Sequence, residues 1–208
     1  METVTCLESE FIFHGFCNAK ESEKLENIIL MNQVHSADVL VIDKPLSQAP
    51  QVDALVTKTP DLTLAVKTAD CAPVLLCDKK NKVVAAVHAG WKGAFQGVIE
   101  NTILKMIELG ADISYIQAGI GPHIQKESFE ADEKMKSLFP VTEHHFFENK
   151  GEGRYHFDFH GYVVYRLKRA GIKQIDSVLI DTYQDINYLS YRRDPKNPAR
   201  QFSVIKLK

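Results

Sequence analysis

No apolar run in the 208 residues approaches the roughly 20 that span a bilayer, so the sequence carries no membrane-helix signal. Positive charge is not in excess either: 25 Lys and Arg stand against 27 Asp and Glu, a formal charge of −2, and the basic residues are scattered. That balance gives no general attraction to a phosphate backbone, which argues against nucleic acid as a partner, and nothing points to a membrane. Met1–Glu10 is acidic and lacks a basic stretch followed by an apolar one, so no secretory leader is expected and a cytoplasmic location is. The four cysteines, Cys6, Cys17, Cys71 and Cys77, show no CxxC spacing. Free thiols, each by default a small buried hydrophobe, are the expectation for them. Repeats and low-complexity linkers are missing too, and residues 1–208 are read as a single domain, since a chain of that size buries enough surface for one core.

The composition itself, 45% hydrophobic and 25% charged, is that of an ordinary soluble protein. Short β-type runs crowd the first half: Asp38–Asp43, Asp53–Thr57, Leu62–Lys67, Pro73–Asp78 and Lys82–His88. The last two are apolar enough for burial on both faces. After Gly90-Trp-Lys-Gly93, apolar residues at Phe95, Val98, Ile99, Thr102, Ile103, Met106 and Ile107 follow helical spacing until Gly110. Beyond it the pattern predicts a strand over Ser114–Ala118, a helix over Lys126–Phe139, a mobile polar loop over Glu143–Arg154 and a strand over Arg154–Phe159. It then predicts a helix over His160–Ala170 and strands over Ser177–Asp181 and Phe202–Leu207. Clustered strands followed by strands alternating with helices indicate an α+β layered domain, with mixed β-sheets flanked by helices.

Three segments place metal-competent side chains at strand ends or beside them: Asn32–His35, Thr68–Cys71 and Val87–Gly93. Two imidazoles and a thiolate, His35, His88 and Cys71, suit Zn²⁺, and three protein ligands leave a fourth position open as a catalytic site does. Their spacings of 36 and 17 residues match no compact zinc-finger pattern, so on spacing alone core or hydrogen-bonded roles stand beside the metal reading.

The segments NQVHSADV, DALVT, TADCAPVLL, VAAVHAGWKG, GIGPHI and NYLSYRRD occur in this order from Met31 onward. Together they resemble the laccase-domain (polyphenol-oxidase) family of bacterial and animal proteins, and the pairing of TADC with HAGW is the specific part. The resemblance implies a metal held by His35, Cys71 and His88, zinc in preference to copper. It implies an enzyme acting on purine nucleosides with phosphate: phosphorolysis of adenosine, inosine or S-methyl-5′-thioadenosine, a transferase activity, and hydrolytic deamination of adenosine. Cys71, His88 and Asp70 are then the catalytic candidates, Asp70 as the nearest group to orient a ligand. A water activated by the metal would attack C6 of the purine in deamination.

Lys92, Arg192 and Arg193, with Arg200, are candidates for an anion pocket, against the ordinary alternative of solvated surface. Position 92 matches a family position often filled by Arg; Lys binds phosphate as a point charge without the bidentate fork. His123 follows Gly119-Ile-Gly-Pro122, a loop that reads either as a tight turn or as a substrate-side anion loop before a helix N-terminus. His144-His145 and the pair His156 and His160 are weaker metal candidates, and Trp91 reads as a packing residue. The family pattern has a Thr-Thr-Arg or Ser-Thr-Arg segment near its N-terminus, followed by a glycine pair and Ser. His14–Lys20 has neither that arginine nor the glycines, which implies altered specificity if the loop meets substrate.

Two rival readings stand beside it, the second using the same residues differently. A copper-dependent polyphenol oxidase (laccase) needs several coppers and a richer histidine set than one His₂Cys trio. A cysteine hydrolase would use Cys71 as nucleophile and His88 as base. A structural zinc in a binding protein is a third alternative, distinguished by unfolding on metal removal.

Overall fold

The computed structural model describes Met1–Lys208. Its strands are, in the first half, β1 (Ile12–Phe16), β2 (Ile28–Ile29), β3 (Val39–Val41), β4 (Ala54–Thr57), β5 (Thr63–Thr68), β6 (Ala72–Asp78) and β7 (Val83–Ala89). The rest are β8 (Ile116–Ile120), β9 (Glu130–Asp132), β10 (Phe147–Gly151), β11 (Arg154–Phe157), β12 (Gln174–Ser177) and β13 (Gln201–Leu207). The helices are α1 (Ala19–Ser22), α2 (Trp91–Gln96), α3 (Val98–Glu108), α4 (Glu133–Lys136) and α5 (Phe159–Arg169). None is long and apolar enough to cross a membrane.

A six-stranded sheet of order β12-β8-β6-β7-β4-β3 forms the middle layer. Alternate residues of β7 face opposite ways: Val83, Ala85 and Val87 join one apolar cluster, whereas Val84 and Ala86 join another. The first cluster lies under α2, α3 and α5; the second is shared with the four-stranded sheet β1-β13-β5-β2. Burial on both faces is why β6 and β7 are continuously apolar in sequence. The architecture is thus the mixed α+β layering that the element pattern indicated. Leu75 of β6 is fully buried between the two sheets, so Leu75→Ala is expected to cost about 2–5 kcal/mol, read as a lower denaturant midpoint at unchanged slope.

Four expectations need correction. The helix expected from Phe95 through Ile107 is two helices, because Gly97 sits at φ 100°, a left-handed conformation that ends α2 and starts α3. Lys126–Phe139 is no helix but a 3₁₀ turn, β9 and the single-turn α4, with Asp132 capping α4 through the Met135 amide. The polar Glu143–Arg154 stretch is ordered as a 3₁₀ segment and a hairpin, in which β11 pairs with both β10 and β9. Last, the strand expected at Ser177–Asp181 is displaced to Gln174–Ser177, parallel to β8. The three-stranded sheet β10-β11-β9 closes one end of the core through Phe139, Phe147, Phe157 and Tyr162, whose rings meet mostly edge-on or tilted at 4.6–5.6 Å.

Candidate metal centre

The three residues separated by 36 and 17 positions in sequence become neighbours through the middle sheet. β6 and β7 pair antiparallel with Ala72 opposite Ala89 and Pro73 opposite His88, so Cys71, one residue before β6, sits beside His88. His35 arrives on the loop between β2 and β3. Cys71 Sγ lies 3.8 Å from His35 Nε2, the two imidazoles meet edge-on at 4.8 Å, and no two of the three ligand atoms are more than 4.8 Å apart.

These donors fit a zinc ion. Bond lengths of about 2.0–2.3 Å in a tetrahedron put ligand atoms roughly 3.3–3.8 Å apart, a spacing the His35–Cys71 pair already has. His88 has its Nδ1 on Asp53 Oδ1 at 2.7 Å, which leaves Nε2 free as a donor, and His35 is exposed enough to adjust its ring. Space for the approach comes from Gly90, since a Cβ there would stand 2.7 Å from His35 Cδ2 and 3.3 Å from Cys71 Sγ. Burial pushes the Cys71 thiol up, but the facing His88 and the contact with His35 outweigh it and bring it down to about 6. Burial likewise lowers His88, yet Cys71 and Asp53 together raise it to about 9. The site is therefore built to hold a thiolate.

The centre opens onto a cleft of about 770 Å³. Its lining includes the apolar Trp91, Ile124, Phe129 and Phe159 and the cationic Lys67, Lys92, Arg192 and Arg200. Arg192 donates to the Glu130 carbonyl at 3.0 Å and lies over the Phe129 ring. Asp70 also lines the cleft, but its hydrogen-bond partners are not the histidines. Its carboxylate accepts from Thr182 Oγ1 at 2.8 Å and from the Arg192 amide at 2.6 Å, and its left-handed backbone, φ 87°, shapes the turn before Cys71. Asp53, not Asp70, is the acid hydrogen-bonded to His88.

Two further candidates are placed outside the cleft lining. Arg193 spends its guanidinium on the carbonyls of Thr182, Tyr183 and Tyr188, clamping its own loop. His123 is fully buried behind Phe159, with Nδ1 2.8 Å from the Gly121 carbonyl, and burial holds it down at about 4. Only the three-residue 3₁₀ turn Lys126–Ser128 follows it, and the glycines before it serve close packing: a Cβ at Gly119 would strike Leu7 and Val4, and one at Gly121 would strike Phe16. The divergent stretch His14–Lys20 forms β1 and an Asn18–Glu21 capping box, and none of it lines the cleft. His144 and His145 bond to nearby carbonyls, and neither they nor His156 and His160 belong to a metal-competent group.

The sequence reading passed over Asp53, Gln33 and Lys67. Gln33 bonds both the amide and the carbonyl of Lys67, a side chain pairing with β5 at the cleft. A lone acid opening an apolar run, as Asp53 does in DALVT, has no local signal of burial.

Fold and site define a layered α+β protein with one His₂Cys group at the base of a cationic cleft. Residues 15–208 match the family model described as multi-copper polyphenol oxidoreductase laccase, and the chain belongs to that family. A purine nucleoside phosphorylase of Rickettsia conorii is 37% identical over 175 residues, covering 82% of this chain and 72% of the relative. One of Streptomyces coelicolor is 39% identical over 169 residues, covering 80% and 70%. Among solved structures, a DUF152-family protein of Neisseria meningitidis aligns with a TM-score of 0.81 at 34% identity, over 87% of this chain and 75% of its own.

Proposed function

We propose that residues 1–208 form one laccase-domain-like unit, a zinc-dependent purine nucleoside enzyme of the cytoplasm. It catalyses phosphorolysis of adenosine, inosine or S-methyl-5′-thioadenosine and deamination of adenosine. The observation that carries the reading is the convergence of His35, Cys71 and His88 at a cleft lined by apolar residues and four cationic side chains. The relatives named purine nucleoside phosphorylase support it. A second metal-competent group, which multi-copper oxidation would need, is not assembled in the fold.

His35, Cys71 and His88 would hold the zinc, which would supply Lewis acidity to an oxygen of the bound substrate. Phe129 and Trp91, half-buried at the cleft, offer apolar contact for a purine ring, and Lys67, Lys92, Arg192 and Arg200 the charge that attracts phosphate. In phosphorolysis a phosphate oxygen bonds C1′ of the ribose as the C1′–N9 bond breaks, and the base leaves with a proton. In deamination water adds at C6 and ammonia leaves. The deciding experiment is product analysis on zinc-loaded protein with each nucleoside, with and without phosphate. Free base with a pentose 1-phosphate appearing only with phosphate, and inosine formed from adenosine, are expected; no product from any nucleoside sinks the reading.

Lys92→Ala and Arg192→Ala are each expected to raise the KM for phosphate about tenfold, the value of one charge-assisted contact, with zinc content unchanged. Unaltered phosphate kinetics in both variants would return these residues to solvated surface.

One observation favours a second reading. Asp53, His88 and Cys71 line up as acid, base and thiolate, the order a cysteine hydrolase uses. Such a nucleophile has no need of His35 at 3.8 Å. Alkylation separates the two: zinc protects Cys71 in the first reading, whereas in the second the thiol reacts at the same rate with or without zinc.

A further inference from the structure

We propose that Asp53 is the positioning residue that assembles the three-ligand centre, fixing the His35 loop and the His88 ring from one buried carboxylate. The inference rests on the metal reading above. Asp53 has no exposed surface, and five donors converge on it. Oδ1 accepts from the His35 amide at 3.0 Å and from His88 Nδ1 at 2.7 Å. Oδ2 accepts from the amides of Val34 at 3.2 Å and Ser36 at 2.6 Å and from Ser36 Oγ at 3.0 Å.

Surroundings made only of donors call for a group that only accepts, and among side chains that is an ionised carboxylate. Three consecutive amides can face one point because His35 stands at φ 61°, and such a concave run of N–H groups is an anion nest. Here the anion belongs to the protein. Remove it and the amides lose the acceptor that holds His35 in a conformation unfavourable to a side-chain-bearing residue.

The same carboxylate sets the second ligand. β4 pairs with β7 so that Ala54 faces Val87, which brings Asp53 alongside His88, and the Asp53 carbonyl accepts from the His88 amide at 2.8 Å. With Nδ1–H committed to Oδ1, His88 keeps its Nε2 lone pair for a metal and presents it toward Cys71 and His35. Asp53 reaches the metal position only through these two residues, so its effect is on geometry and donor strength.

The test measures metal binding in Asp53→Asn, which keeps the shape but puts an amide NH₂ among donors. Expected is a zinc dissociation constant raised about 10–100-fold in chelator competition, with the circular-dichroism spectrum of the wild type. The Co²⁺-substituted variant should retain the thiolate-to-cobalt band while its ligand-field bands shift, a change that a purely structural role would not produce. Zinc affinity within about twofold of wild type, together with an unchanged Co²⁺ spectrum, overturns the proposal. Should Asp53→Asn fail to fold, the tautomer is read from ¹⁵N NMR of the zinc-loaded wild type. A proton on Nδ1 and metal on Nε2 of His88 supports the proposal, and metal on Nδ1 overturns it. Wild-type protein that takes up no zinc at all defeats the metal reading, and the proposal falls with it.

Discussion

Exchange of Cys71 for serine is expected to remove zinc and more than about 100-fold of nucleoside turnover together, while the circular-dichroism spectrum stays that of the wild type. The magnitude follows from a comparison: loss of a group that merely orients a ligand costs about 10–100-fold, so loss of a ligand costs more. A hydroxyl stays protonated near neutral pH, whereas the Cys71 thiol is held down at about 6 by His88 and His35 against the effect of burial. Folding should survive because Cys71 precedes β6 and belongs to neither apolar cluster, so the middle sheet closes without it. Zinc content and turnover are measured on the same preparation. Full zinc occupancy with an acyl intermediate trapped by mass spectrometry would instead establish Cys71 as a nucleophile.

What the sequence made legible follows from where each residue's constraint lies. β6 and β7 were readable because both of their faces are buried, and that demand writes itself as continuous apolar runs. The stretch from Lys126 to Arg154 misled because its apolar residues serve different surfaces: Phe139 is buried while Leu138, its neighbour, is exposed. Helical spacing of such residues has no single face to describe. The β10–β11 hairpin escaped because four of the five residues of β10 face solvent, leaving no alternation, although Gly151-Glu-Gly153 carries the positive φ values of a tight turn.

The candidate centre divides in the same way. His35, Cys71 and His88 stood out through motif resemblance, since ligands joined only by folding leave no spacing signal of their own. Asp53 and Asp70 traded places because adjacency in sequence to Cys71 says nothing about which carboxylate faces an imidazole; strand register decides that, and it places Asp53 alongside His88. The cationic residues sorted by what else their side chains hold. Arg193 is consumed by three carbonyls of its own loop, whereas Lys67 and Lys92 line the cleft.

Gly90→Ala should disable the site and spare the fold, whereas Gly93→Ala, three residues on, should fall first on the fold. Gly90 stands at φ −74°, ψ 159°, extended backbone open to any residue, so alanine brings no conformational penalty there. The whole effect is steric and falls on side-chain atoms of two of the candidate ligands, 2.7 Å away at His35 Cδ2 and 3.3 Å at Cys71 Sγ. The main chain at His35 is held by Asp53, so relief comes from rotating the ring, and rotation carries Nε2 out of the position it shares with Cys71 and His88. A loss of at least about tenfold in zinc affinity and in turnover is expected, with unfolding free energy within about 1 kcal/mol of wild type. At Gly93 the added Cβ would meet the Ser36 carbonyl oxygen at 2.7 Å, main chain that moves only by displacing helix α2 from the loop. That overpacking is expected to cost about 1–3 kcal/mol of stability. Denaturant titration and zinc competition on both variants give four values, and equal losses of stability at the two positions would show that neither glycine was reserved for the metal ligands.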